Sequence, residues 1–396
     1  MTTEESTTAS TSTIDQATAD LLVVGSAIPP EQFEAVLTNL AEAFPVENVM
    51  VTGQDHPAAN LPAHLRIISA PQSNNAWMLR PADFVNAYEI GREHQVRAIL
   101  MLGSGAESLK PQAIRDLADA ALSRSIDLAI PHYTLPANAG LINSAILYPL
   151  TRALFAARTR LPLTIDLGVS IRMAERLATV GKRFAAANQV DALLWPVNEA
   201  TVAGFAVDEV EVGTRDVPQP SDVDINTILA LVTGSLFADI EAKAAFWQRP
   251  RRLSPARIHL AGPARADGTA DVPRMVEAFR LANSNLQEIW SLVLPPNSLL
   301  ALKRISVHDA KVFRMPENLW ARIIFDFVTA YRLRTINRGH LLGALIPLYL
   351  AWVAGHLNVT ASGTSSERHI EAVAAAFEAD KPYLVARWRW PDRFNS

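Results

Sequence analysis

The 396-residue chain contains no cysteine. That absence removes disulfides, thiolate nucleophiles, zinc–cysteine sites and thiol redox chemistry together. A basic excess is missing too. The formal net charge is −4, so no overall field draws a polyanion and nucleic acid is not an expected partner. The nine histidines show no H-x-x-x-H or H-E-x-x-H spacing, and no G-x-S-x-G occurs, which argues against a zinc hydrolase and against a nucleophile elbow. Residues 1–20 are rich in Thr, Ser and Ala and lack the basic and apolar regions of a secretory signal. They read as a disordered tail on a cytoplasmic protein. One uncharged run, residues 341–355 (L-L-G-A-L-I-P-L-Y-L-A-W-V-A-G), is bounded by His340 and His356 and interrupted by Pro347. A membrane span needs roughly 20 apolar residues, so this run reads as a buried core helix and no membrane span is expected.

What is present is the balance of a folded protein, 49% hydrophobic and 19% charged residues, in a chain long enough for two bodies. Residues 21–130 alternate short apolar runs with amphipathic stretches. Residues 21–24, 49–51, 67–68, 96–102 and 126–130 read as strands. Phe33, Val36, Leu37, Leu40 and Phe44 recur at helical spacing between the first two, and residues 83–94 and 111–124 are further helices. The fold class is therefore α/β, a doubly wound and mostly parallel sheet. Ligands on such sheets bind beyond the carboxyl ends of the strands, at residues 25–30, 53–56, 103–108 and 131–138.

Beyond residue 139 the rhythm changes. Residues 140–158 read as a long helix interrupted near Pro149, 166–180 as another, and 207–212 (V-D-E-V-E-V) as an alternating strand. Residues 225–247, 272–293, 317–332, 341–356 and 366–380 are all helical in period. The expected organisation is a tail at 1–20, an α/β domain at 21–247, a Pro/Gly/Arg-rich linker at 248–270 and a helical C-terminal domain at 271–396. Helical domains with apolar faces often pair, so a homo-oligomer is compatible with this plan.

Residues 131–216 resemble the second half of the catalytic domain of GT-A glycosyltransferases, of the glucosyl-3-phosphoglycerate synthase type and its family-2-like bacterial relatives. Pro131-His132-Tyr133 leads to G-L-I-N-S-A-I-L-Y-P-L at residues 140–150. L-P-L-T-I-D follows at 161–166, then D-A-L-L-W-P-V-N-E-A at 191–200 and A-V-D-E-V-E-V-G at 206–213, in the order the family shows. The resemblance covers about a quarter of the chain. It implies a GT-A-like fold and transfer of a hexose from a nucleotide-diphosphate sugar to a small acid or polyol acceptor. It also implies Mg²⁺ or Mn²⁺ on an Asp-x-Asp motif, offsetting charge on the leaving phosphate. On that basis Tyr133 and Gly140 belong to the substrate site.

The standard metal ligands are absent. Where the family carries Asp-x-Asp this chain reads L-G-S-G-A-E-S at residues 102–108, with Glu107 the nearest carboxylate. The family's Asn-Glu after strand 1 is replaced by a segment starting at Ser26, one Asp (Asp55) remains after strand 2, and Thr214-Arg215-Asp216 stands where a metal-binding His belongs. Three readings stay open. Arg215 could stand in for the cation, since a guanidinium neutralises a diphosphate. Glu107 and Asp216 could form a rebuilt metal site. Or catalysis is lost and the fold is kept for binding a sugar, a nucleotide or a protein.

Other candidates have plain alternatives. Asp166 could act as a catalytic base toward an acceptor hydroxyl, or cap a helix starting near Gly168. Arg152 and Arg172 could clamp a carboxylate or phosphate, or make ordinary ion pairs. Glu199 could touch ligand. Gly103-Ser104-Gly105 resembles part of a phosphate-cradling loop. Asp222-Val223-Asp224 is a literal D-x-D that caps a helix better than it holds a donor. The C-terminal R-W-R-W-P-D-R-F could stack on bases or latch onto the helical domain.

Overall fold

The protein is described by a computed structural model over residues 19–53, 64–73, 77–123, 125–189, 192–216, 224–249 and 271–391. Strand and helix alternate from the start: β1 (Leu21–Ala27), α1 (Pro30–Ala43), β2 (Val49–Gly53), β3 (Leu65–Ser69), α2 (Pro81–Glu93), β4 (Ala98–Gly103), α3 (Pro111–Leu122) and β5 (Leu128–Thr134). A π-type turn (Asn143–Leu147) runs into α4 (Tyr148–Phe155), followed by β6 (Leu167–Ser170), α5 (Ile171–Ala186), α6 (Pro196–Ala203) and β7 (Val207–Thr214). The rest is helical: α7 (Ile225–Ala242), α8 (Ala244–Trp247), α9 (Val272–Asn285), α10 (Gln287–Ser291), α11 (Pro296–Ser306), α12 (Glu317–Leu333), α13 (Arg338–Ala361) and α14 (Ser366–Arg389).

The seven strands form one sheet in the order β3-β2-β1-β4-β6-β5-β7. Neighbours are parallel except β6, which runs antiparallel to both β4 and β5. This is the doubly wound, mostly parallel α/β sheet expected from the sequence. β1, β2 and β4 are buried along their whole length, as continuous apolar runs must be when helices cover both faces. One face packs on Leu37, Leu40, Ile114 and Leu117 of α1 and α3. The other packs on Phe84, Met173 and Leu177 of α2 and α5.

Residues 166–180, expected as one helix, are instead a strand and then a helix. L-G-V-S is too short to show a period, and its extended form is set by β4 and β5 on either side. Gly168 is needed there because a Cβ would lie 2.8 Å from the carbonyl of Leu117, where α3 crosses closely. The helix cap is Ser170, whose Oγ accepts from Met173 N. The interruption expected near Pro149 falls just before it, in the π-type turn, and Pro149 itself sits in the first turn of α4. α11 has no counterpart in the sequence reading.

A third core fills the helical part. Phe237 of α7, Phe279 of α9, Phe325 of α12, Trp352 of α13 and Phe377 of α14 share it with Ile146 of the π-type turn and Leu150 of α4. Trp320 Nε1 donates to Ala145 O at 2.7 Å across this junction. α7 and α13 are long and apolar enough to cross a membrane by length and composition. Here Leu236 and Phe237, and Leu341, Leu348 and Trp352, are buried in that core. The end of α14 docks on the helical part. Trp388 packs edge-on against Trp247 (centroids 5.0 Å) under the Arg332 guanidinium, while Trp390 is exposed.

Candidate functional site

The carboxyl ends of β4, β5 and β7 meet the amino end of the antiparallel β6 on one rim. Asp166, immediately before β6, is fully buried there. Its Oδ1 accepts from Gly103 N (2.9 Å) and Arg215 Nη2 (3.2 Å). Its Oδ2 accepts from the Tyr133 hydroxyl (2.6 Å) and Arg215 Nε (2.7 Å). The rim thus gathers Gly103, Tyr133, Asp166 and Arg215, four residues the sequence singles out, around one carboxylate.

Arg215 faces inward rather than toward a ligand. Nη2 donates to Ser104 O at 2.8 Å and Nη1 to Asp216 O at 2.7 Å, in addition to the Asp166 bonds. The pair is buried on both sides, and a buried charge persists only when paired and hydrogen-bonded in this way. Burial works against the charged guanidinium, but the Asp166 carboxylate outweighs it and Arg215 holds its proton more tightly than usual. Burial, reinforced by the Asp166 charge, pushes the Tyr133 phenol far up, so it stays a neutral donor.

The loop after β4 is likewise spoken for. Gly105 N donates to Gln32 Oε1 (2.8 Å), as does Ser104 Oγ (3.3 Å). Gly105 adopts φ 83°, and a Cβ there would lie 2.2 Å from Arg215 Nη1. Glycine is required to admit the guanidinium. A phosphate entering this loop would have to displace Asp166 from Gly103 N and Gln32 from Gly105 N.

The remaining sequence candidates are scattered. Arg152 is buried against α14, donating to Glu371 (2.6 Å) and Glu378 (3.0 Å). Arg172 pairs with Asp127 at the amino ends of β5 and β7, the opposite rim. Glu199 lies in a buried network with Lys243 (2.7 Å) and Arg176 (3.0 Å). Burial opposes ionisation of Glu199, but those two cations hold its carboxyl below the usual range. The Ser26 carbonyl accepts from Ser73 N (3.0 Å). Asp224 caps α7 through Asn226 N (3.2 Å). Asp55 and Asp222 lie outside the described residues.

A divalent cation does not fit this rim. The place opposite Gly103 holds a buried guanidinium, which would repel one. Glu107 Oε2 is buried without a hydrogen bond among the described residues, whereas Asp216 is exposed and meets Arg215 through its carbonyl. Among the described residues no group of three or more His, Asp or Glu side chains could hold a metal.

Beside the pair lies a cavity of about 490 Å³, within the range of small-molecule sites. Tyr133, Thr164, Ile165 and Arg215 form its sheet side, and Gly140, at φ 63°, turns the segment that closes another wall. Ile228 and Val232 of α7, Met275 of α9 and Tyr349 and Val353 of α13 form the helical side. Sequence reasoning passed over Gln32, which holds the loop after β4, and Tyr349, which lines the cavity. Gln32 carries no signal of its role. Tyr349 has one, as the only hydroxyl in the uncharged run 341–355.

The fold and rim define an α/β protein whose strand ends are closed by a buried Arg–Asp pair. No protein-family model and no curated protein matches the chain. Among solved structures, glucosyl-3-phosphoglycerate synthase from Mycobacterium tuberculosis in complex with phosphoglyceric acid aligns with 59% of this chain and 81% of its own, at 13% identity and TM-score 0.36. The same enzyme with Mn²⁺, UDP-glucose and phosphoglyceric acid aligns at 14% identity, covering 56% of this chain and 79% of its own, TM-score 0.36. Mannosyl-3-phosphoglycerate synthase from Rubrobacter xylanophilus aligns at 12% identity over 60% of this chain and 79% of its own, TM-score 0.39. Overlaps of this size give no residue a role.

Proposed function

We propose that the chain is a GT-A-like relative of the glycosyltransferases that binds a small molecule in the cavity beside Arg215, without metal-assisted hexose transfer. The observation that carries this reading is the saturation of the Arg215 guanidinium by Asp166, Ser104 and Asp216. A group already neutralised by a carboxylate at 2.7 Å cannot offset a leaving diphosphate unless that pair first opens. Asp166 is equally unsuited to act as a base, since four donated hydrogen bonds use its oxygens.

A second reading is metal-independent transfer of a hexose from a nucleotide-diphosphate sugar to a small acid or polyol. Its support is that Arg215 and Tyr133 both border the cavity, so an opened pair would place a cation next to a bound donor. The test is release of nucleotide from UDP-, GDP- and ADP-sugars by the purified protein, with and without Mn²⁺ or Mg²⁺. No release under any condition is expected. Release that Arg215→Ala abolishes would establish the second reading, and release that requires the metal would overturn both.

A further inference from the structure

We infer that the cavity takes an apolar chain bearing one hydrogen-bonding end, such as an alkyl or isoprenyl alcohol, and not a phosphorylated or sugar ligand. This rests on the reading that the cavity is the ligand site, and it names the ligand's class.

The lining carries the argument. From the helical part come Ile228, Val232 and Val353, and from the opposite wall Leu147, Leu163 and Ile165. Arg215 is the one charged side chain among the described lining residues, and Asp166 already neutralises it. The polar groups beside it are also engaged. The Tyr133 hydroxyl donates to Asp166 (2.6 Å) and Thr164 Oγ1 to the Asp166 carbonyl (3.1 Å). Asn143 spends its amide on Leu163, donating to the carbonyl (3.2 Å) and accepting from the N–H (3.4 Å). A diphosphate or a glycerate would enter this space without a free cation and with several hydroxyls unmatched, a costly desolvation.

Tyr349 is different. It lines the cavity and is 5% exposed, yet its hydroxyl makes no hydrogen bond with any described residue. Buried hydroxyls are ordinarily partnered. A phenol left over in an apolar wall is what an occupant with a single polar end would satisfy, its chain lying against Val232, Val353 and Leu163.

The experiment is calorimetric titration with 1-hexanol to 1-decanol, with UDP-glucose and 3-phosphoglycerate as comparison arms. Each added methylene should tighten binding about fourfold until the cavity is full. Tyr349→Phe should weaken the alcohols about five- to tenfold while leaving octane binding unchanged. Val353→Trp should abolish both. If that variant does not fold, the chain-length slope and the Tyr349→Phe contrast still decide. A flat response to chain length, or 3-phosphoglycerate binding that Val353→Trp abolishes, would overturn the inference. The two proposals fail separately. Metal-dependent sugar transfer together with alcohol binding sinks the binding-protein reading alone. No turnover and no alcohol binding sinks the ligand class alone.

Discussion

Two buried Arg–Asp pairs stand in the two halves of the molecule, and they are provisioned differently. At the sheet rim, Asp166 receives four donated hydrogen bonds, two of them from Arg215. In the helical part, Asp326 of α12 meets Arg387 Nε at 2.8 Å and the Tyr383 hydroxyl at 2.7 Å through the same oxygen, Oδ1, while Oδ2 accepts nothing among the described residues. Burial therefore dominates there and pushes the Asp326 carboxyl up to about 7, against the pull of Arg387. Equal burial does not make equal pairs. The number of donors aimed at a buried carboxylate sets how far the loss of water around it is offset.

The largest test of that difference removes each cation. Arg215→Met leaves Asp166 with no counter-charge among donors arranged for an anion, and should cost about 3–5 kcal/mol in urea unfolding. Arg387→Met should cost less, about 1–2 kcal/mol at pH 6, because Asp326 can take a proton. Equal losses would erase the distinction.

The next effect is pH dependence. The folded Asp326 pKa, about 7, lies above the ordinary aspartate value. The folded state therefore binds the extra proton between roughly pH 4 and 7, and this residue's stabilising contribution is complete below that window and lost as pH rises through it. A shift of that size is worth up to about 4 kcal/mol. Unfolding free energy measured across the window should fall less steeply in Asp326→Asn. An unchanged slope would mean that Asp326 is already ionised.

Smaller effects should separate the rim from the helical part. Tyr133→Phe removes one donor to a buried carboxylate and should cost about 1.5–3 kcal/mol. Ser365→Ala, in the helical part, removes only the α14 cap, where Ser365 Oγ accepts from Arg368 N, and should cost about 1 kcal/mol. If the two losses are alike, Tyr133 is not holding a charged group.

Much of the framework is visible in the residues themselves. The strands at 21–27, 98–103 and 207–214 announce themselves through apolar runs or alternation, and the helices through period. β6 does not, because four residues that depend on two neighbouring strands carry too little local pattern. Site residues divide in the same way. Asp166 and Arg215 stand out through their places in L-P-L-T-I-D and T-R-D within the segment 131–216. Arg172 is no less conspicuous, yet it sits on the opposite rim with Asp127, since the reversal of β6 carries the chain back across the sheet before α5 begins.

The residue pattern alone thus determined the alternation of strand and helix, the helical C-terminal part and the absence of an Asp-x-Asp after β4. Only the folded chain decided that Arg215 would turn inward onto Asp166, and that Tyr349 would face a greasy chamber with its hydroxyl unused. Pairing and burial are properties of distance between segments far apart in the chain. Neither local propensity nor spacing records how close those segments come.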